Sequence, residues 1–256
     1  MKSWIVFGKK ELLEQLRSGR VMILGILFVL YGVMNPATAK LTPWLLEAFS
    51  DSLADGGMTI TIGQVSALDS WVQFFKNMPI FLIAFAGLEG GVFTREYESG
   101  TLVLSLTKGM GRGQILLAKS TVLLIGWTVG YWMAYGITYL YSAYYWDNAV
   151  AQSLLFAAAG GWLLGVWIVL LLVFFSACAD TSAIVLLGCG GVVLLSSFLG
   201  IIPPIADYLP TQLADGQSLI YGLITPSERM GAMGITAVLS IACLGASIPI
   251  FRKRQL

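Results

Sequence analysis

The sequence predicts an all-α, polytopic membrane protein with six transmembrane helices, an N-terminal interfacial amphipathic helix, and a short helical outer or re-entrant segment before the last span. Three observations carry this reading. Mean hydropathy is +0.81 and only 11% of the 256 residues are charged, against about 25% in an ordinary soluble domain. Six runs reach the roughly 20 apolar residues that a bilayer crossing needs: approximately Val21 to Ala39, Met78 to Thr94, Ile115 to Trp146, Val150 to Ala179, Ala183 to Ile202 and Met230 to Phe251. Most of the 15 basic residues fall in three patches between these runs, all on one side of the predicted membrane: Lys2, Lys9, Lys10, Arg17 and Arg20; Arg95, Lys108, Arg112 and Lys119; Arg252, Lys253 and Arg254. Positive residues mark the cytoplasmic face, so both termini are expected in the cytosol.

Taken in order, residues 1–20 alternate at helical spacing. Trp4, Ile5, Leu12, Leu13 and Leu16 share one side, while Lys9, Lys10, Glu11, Glu14 and Gln15 share the other. That is the pattern of a helix lying in the membrane interface. The first apolar run follows a long charged segment and lacks a small-residue cleavage signal, so it reads as a retained span. Thr42 and Pro43 suit an N-cap and first turn, which predicts a separate short outer helix stopped at Gly56 and Gly57. Spans three and four exceed a single crossing and are expected to tilt or project. Residues 203–228 mix Pro203, Pro204, Pro210, Gly216 and Gly222 with apolar residues. They are too broken for a span and too apolar for a free loop, so short helices or a re-entrant hairpin packed on the bundle are expected. Thr225 and Glu228 then form a capping box for the last span. No separate soluble domain is visible within 1–256.

Composition also excludes functions. With no histidine, His-ligated zinc, haem ligation and histidine acid–base chemistry are absent. Cys178, Cys189 and Cys243 lie in apolar runs without metal-ligand spacing, so no metal site is expected and they read as small buried hydrophobes. A net charge of +1 gives no reason to expect nucleic acid as a partner. Lys119 and Ser120 are the nearest approach to a phosphate-binding loop, but Ala118 stands where a glycine is needed and no strand precedes them.

The most informative motif follows the second span: Arg95, Glu96, Tyr97, Glu98, Ser99, Gly100, Thr101, Leu102, then Leu104, Leu106, Thr107, Lys108 and, after a Gly-Met-Gly-Arg turn, Lys119. It resembles the ABC-2 type permeases, the membrane subunits of ATP-driven exporters, whose second span ends in an acidic ExExGTL stretch followed by a basic turn and a lysine opening the third span. The likeness extends to the interfacial helix, the six spans and the broken segment between spans five and six. Many family members carry a proline in the turn where this chain has Gly109, Met110 and Gly111.

The resemblance implies that residues 95–114 couple the chain to a separate ABC ATPase, with Glu96, Tyr97, Glu98, Gly100, Thr101, Leu102, Leu106, Lys108 and Arg112 as the coupling residues. It implies no catalysis and no cofactor on this chain, with ATP and magnesium held by the ATPase. It also implies a second permease chain, identical or not, and a bacterial cell membrane with its lipids. From the residues alone, a charged loop is as readily a solvated one. Glu89 is the only carboxylate placed well inside a predicted span. It is either functional, as intramembrane ionisable groups commonly are, or simply solvated from the nearby membrane face or paired with Arg95. Tyr131, Tyr135 and Tyr139 crowd the outer half of span three; phenols at that depth line a cavity or a helix seam. The weakly charged, aromatic interior favours an amphipathic or apolar cargo, with peptide ranked ahead of lipid, drug or glycan precursor. Outside the transporter class, an intramembrane enzyme lacks the paired glutamates and histidines it would need, and a structural or sensory subunit stays open.

Overall fold

The computed structural model describes residues 2–48, 64–98, 100 and 111–253, with the side chains of residues 2–6, 45, 46 and 98 outside what is described. Ten helices are described: α1 (Lys2–Arg17), α2 (Arg20–Ala48), α3 (Ala67–Glu89), α4 (Thr94–Glu98), α5 (Arg112–Tyr145), α6 (Leu154–Cys178), α7 (Ser182–Leu199), α8 (Pro203–Ala206), α9 (Gln217–Ile220) and α10 (Pro226–Lys253). Six of them, α2, α3, α5, α6, α7 and α10, are long and apolar enough to cross a membrane. The chain is therefore an all-α, multi-pass membrane protein.

Helix boundaries follow local chemistry, and two differ from expectation. Thr42 does not cap a new helix, because α2 runs on through Pro36 and Pro43 to Ala48. Its hydroxyl instead donates back to the Thr38 carbonyl at 2.7 Å, a bond available inside a continuous helix. The expected stop at Gly56 and Gly57 lies outside the described residues. Span two begins at Ala67, well before Met78. Ser66 caps it, and its backbone N–H donates to Asp69 Oδ2 at 2.8 Å. Polar Ser70 and Asn77 disguise this first half in the sequence, yet Ser70 pairs with Ser142 at 2.7 Å and Asn77 donates to Asn35 Oδ1 at 3.2 Å. Hydrogen bonds across the seam satisfy those groups and let them sit in an apolar bundle. Helix α5 has 34 residues and rises about 51 Å, longer than the roughly 30 Å hydrocarbon layer. Helix α6 is shorter than the predicted fourth span, since a 3₁₀ turn at Asn148–Val150 precedes it.

Packing places α6 at the centre and leaves α7 at the periphery. Close approach of α5 and α6 relies on Gly161 and Gly165. A Cβ at Gly161 would meet the Tyr131 hydroxyl and Met78 Sδ, and one at Gly165 would collide with the Trp127 ring. Between spans five and six the outer segment resolves into short helices and a 3₁₀ turn at Pro210–Ala214. Leu213, Leu219 and Ile220 bury it against the bundle. The capping box at the start of α10 is present: the Thr225 N–H donates to Glu228 Oε1 at 3.0 Å.

Candidate functional site

Helix α1 and the close of α10 lie at the same end of the bundle, and the residues after span two contact both. Helix α1 is separated from α2 by Ser18 and Gly19; Gly19 takes φ +76°, a left-handed conformation that glycine adopts without steric cost. The amphipathic pattern of α1 is real, but its orientation is the reverse of a helix that buries its leucines in protein. Phe7, Glu11 and Gln15 face inward and are buried, while Leu12, Leu13 and Leu16 point away from the bundle. The apolar side is thus left for something other than this chain, as an interfacial helix requires.

The inward face of α1 ends in a charge junction. Lys119, seven residues into α5, has a side chain only 1% exposed. Its Nζ lies 2.7 Å from Glu11 Oε2 of α1 and 3.0 Å from Glu96 Oε1 of α4. A second ammonium, Lys10, lies 3.3 Å from Glu11 Oε1, 3.6 Å from Glu96 Oε1 and 2.7 Å from Glu14 Oε2. Carboxylate oxygens of Glu11, Glu14 and Glu96 fall within 4.8 Å of one another, and the two ammonium groups supply the positive charge between them. Burial opposes the charge on Lys10, but its hydrogen bond to Glu14 and the charges of Glu11, Glu96 and Glu14 outweigh this and raise its pKa. The same hydrogen bond holds the Glu14 carboxyl below its usual range, against a smaller opposing effect of burial.

Gln15, one turn beyond Glu11, donates to Glu89 Oε2 at 3.2 Å, where α3 ends. Glu89 is buried rather than solvated, and its Oε1 has no hydrogen-bond partner among the described residues. Between α3 and α4 the backbone stays close to helical, with Gly90 at φ −59° and ψ −22°; a Cβ on Gly91 would press on the Arg95 guanidinium at 3.0 Å. Tyr97 donates to the Ser176 carbonyl near the end of α6 at 2.9 Å, and its ring lies 6.4 Å from that of Phe251 in α10. Phe93 also meets Phe251 edge-on at 6.1 Å. Arg112, at the start of α5, donates to the Arg252 carbonyl at 3.0 Å. The five residues of α4 therefore touch α1, α5, α6 and α10 together. Ion pairs and close-packed rings thus tie α4 to these four helices.

Of the sequence-expected coupling residues, the structure brings Glu96, Tyr97 and Arg112 to this junction, and Gly100 follows at φ +65°. The Glu98 side chain and all of Thr101, Leu102, Leu106 and Lys108 lie outside the described residues. Glu11, Gln15 and the burial of Lys119 were missed by sequence reasoning, which assigns charged helix faces to water. The signal available was Lys119 itself, a lone cation inside the run Ile115–Leu124. Its partner lies 108 residues away and no local pattern reveals it.

The three tyrosines of span three divide. Tyr131 is fully buried and donates to the Ala158 carbonyl at 2.8 Å, which places it in the α5–α6 seam. Tyr135 is half-buried, 5.1 Å from Trp71, and stacks 6.2 Å from Tyr139, which is 43% exposed. These two line an open cleft at the end of the bundle opposite the termini.

Six membrane-length helices define a multi-pass membrane protein, with a buried charge junction at one end of the bundle. The profile of the ABC-2 family transporter protein matches residues 4–228, and the chain belongs to that family. It is 29% identical to the probable ABC transporter permease protein NosY of Stutzerimonas stutzeri, over 95% of this chain and 87% of the relative. A Pseudomonas aeruginosa protein of the same name is 31% identical over 45% of this chain and 36% of its own length. The uncharacterized transmembrane protein YxlG of Bacillus subtilis is 23% identical over 95% of this chain and 93% of its own.

Proposed function

We propose that the chain is the membrane-spanning permease subunit of an ATP-driven ABC-2 exporter. It sits in a bacterial cell membrane with both termini in the cytoplasm and works as a pair of permease chains, identical or different. Separate ATPase subunits hold ATP and magnesium. The cargo is an amphipathic or apolar molecule, a peptide before a lipid, drug or glycan precursor, moved out of the cytosol or the inner leaflet. Family membership supports the permease role. The observation that carries the mechanism is the junction of Glu11, Glu96 and Lys119. An ATPase pressing on the segment between α4 and α5 pushes on α4, and the shared Lys119 passes that push to α1 and to span three. Tyr97 and Phe93 pass it to α6 and α10.

The test uses the complex. Co-expression with its cognate ABC ATPase is expected to yield a stable membrane assembly with ATPase activity. Glu96→Gln, which keeps the shape of the side chain and removes its charge, is expected to leave assembly intact while lowering transport per ATP hydrolysed. Failure of any ATPase to associate sinks the permease reading; unchanged coupling in Glu96→Gln sinks the junction's role. For orientation, an impermeant thiol reagent on intact cells is expected to label a cysteine at Ser227 and not one at Ser18 in a background free of the native cysteines. The reverse pattern would overturn the topology.

A further inference from the structure

At the end of the bundle away from the termini, the close of α5 and the start of α6 form an open cleft of about 1060 Å³. Its walls are the rings of Tyr135, Tyr139, Tyr144, Tyr145 and Trp146, and Asp147 is the only carboxylate among the described residues that line it. We infer that this cleft binds an amphipathic organic cation, with the cationic head held over tyrosine faces beside Asp147 and the apolar remainder running toward Leu154 and Leu155.

Three observations lead there. First, the hydroxyls of the packing tyrosines are all satisfied by backbone: Tyr31 donates to the Phe74 carbonyl at 2.6 Å, Tyr97 to that of Ser176 and Tyr131 to that of Ala158. Among the described residues Tyr135 and Tyr139 make no such bond, although they adjoin the same seam. A half-buried phenol without a protein partner faces a place where a polar ligand or water supplies one. Second, these ring faces already attract a cation. Lys40 of α2 holds its ammonium 3.5 Å from the centre of the Tyr145 ring, which is the geometry of a cation–π contact. Lys40 is not among the residues that line the cleft, whereas Asp147 is. Third, the floor is fixed. Asn148 accepts from Trp71 Nε1 at 3.0 Å and donates to the Tyr139 carbonyl at 3.0 Å, and Tyr135 leans on Trp71. A preformed aromatic wall loses little freedom on binding, which favours affinity.

As the outer station of a transport path, this site rests on the exporter reading; as a binding site it does not. The experiment therefore uses the full chain alone in phosphatidylcholine nanodiscs, with empty discs subtracted. Equilibrium dialysis would compare tetraphenylphosphonium with tetraphenylborate, an anion of nearly the same shape. Saturable binding of the cation and none of the anion is expected. Asp147→Asn keeps the oxygen that accepts the Ala149 N–H at 2.9 Å, so it tests charge without removing the turn. Tyr139→Ala removes one exposed ring face. Each is expected to weaken cation binding about tenfold. Absence of saturable cation binding, equal binding of the anion, or parent-like binding by either folded variant overturns the inference and leaves the rings as an aromatic belt at the membrane surface. Should Tyr139→Ala fail to fold, Asp147→Asn decides alone. A negative result here leaves the ATPase test untouched, and loss of the ATPase partner leaves this binding in place.

Discussion

At the end of the bundle that carries the termini, a lysine 1% exposed bridges carboxylates from two other elements; at the opposite end, Lys40 and Asp147 lie exposed among tyrosines. Both ends contain charge and aromatic rings, yet they differ in how these depend on one another. Removing one member of the buried junction strands the others away from water, which is costly. Removing one member of the exposed set leaves its neighbours solvated. The first arrangement moves as a unit, as transmission of force requires, and the second accommodates changes one residue at a time, as a surface that meets varied molecules can.

The largest effect expected from this contrast is at Lys119. Replacing it with Met leaves the buried Glu11 and Glu96 carboxylates with only the half-exposed Lys10 ammonium near them, at a cost of about 3–5 kcal/mol, read as a fall in thermal unfolding midpoint of the purified chain. The triple variant Glu11→Gln, Glu96→Gln, Lys119→Met removes the charges together and is expected to recover much of the loss, because a buried ion pair adds little net stability over neutral residues of similar size. Were the single variant as stable as the parent, the junction would not hold α1 to the bundle.

The middle of span three separates a seam from a cleft. Tyr131→Phe deletes a hydroxyl that donates to the Ala158 carbonyl and is expected to cost about 1 kcal/mol. Tyr135→Phe deletes one with no hydrogen bond to the described residues and is expected to change stability by less than about 0.5 kcal/mol. Equal effects at the two positions would erase the distinction. A counterpart to Lys119 with an exposed partner is Arg229, itself buried, whose Nη2 lies 3.0 Å from Asp215 Oδ2 and whose Nη1 donates to Gln212 Oε1 at 3.0 Å. The Asp215 side chain is 42% exposed, so Asp215→Asn is expected to cost no more than about 1 kcal/mol, well below the Lys119 variant in the same assay.

How far these regions were legible in the sequence follows from the range of the interactions. Six spans, the interfacial helix and the capping box at Thr225 and Glu228 are written in local periodicity and local capping, and the structure holds all three. The start of span two was hidden because Ser70 and Asn77 read as loop residues; only their partners on α2 and α5 make them tolerable in a bundle. Continuation of α2 through Pro43 was hidden by a pair, Thr42 and Pro43, that is equally at home at a helix start. The family motif located Glu96 and Tyr97. It said nothing of Glu11, because a helical wheel records which residues share a side and not which side meets protein.

The smallest effect concerns pH and again sets the buried part of the junction against its exposed rim. Glu14 sits on that rim, 54% exposed, and Lys10 holds its pKa below the usual carboxylate value of about 4.3. A group whose folded pKa is depressed contributes stability that is fully present above its unfolded pKa and disappears as pH falls through the folded one. Lys10 is shifted upward, so its contribution is present throughout neutral pH and is lost only above the ordinary lysine value of about 10.4. Glu14→Gln should therefore lower the unfolding midpoint slightly at pH 7, and the gap between variant and parent should close as the pH drops below about 4. Salt should narrow it as well, because exposed pairs are screened. A gap that stays constant from pH 7 to pH 3 would mean that the Lys10–Glu14 contact does not contribute to docking α1.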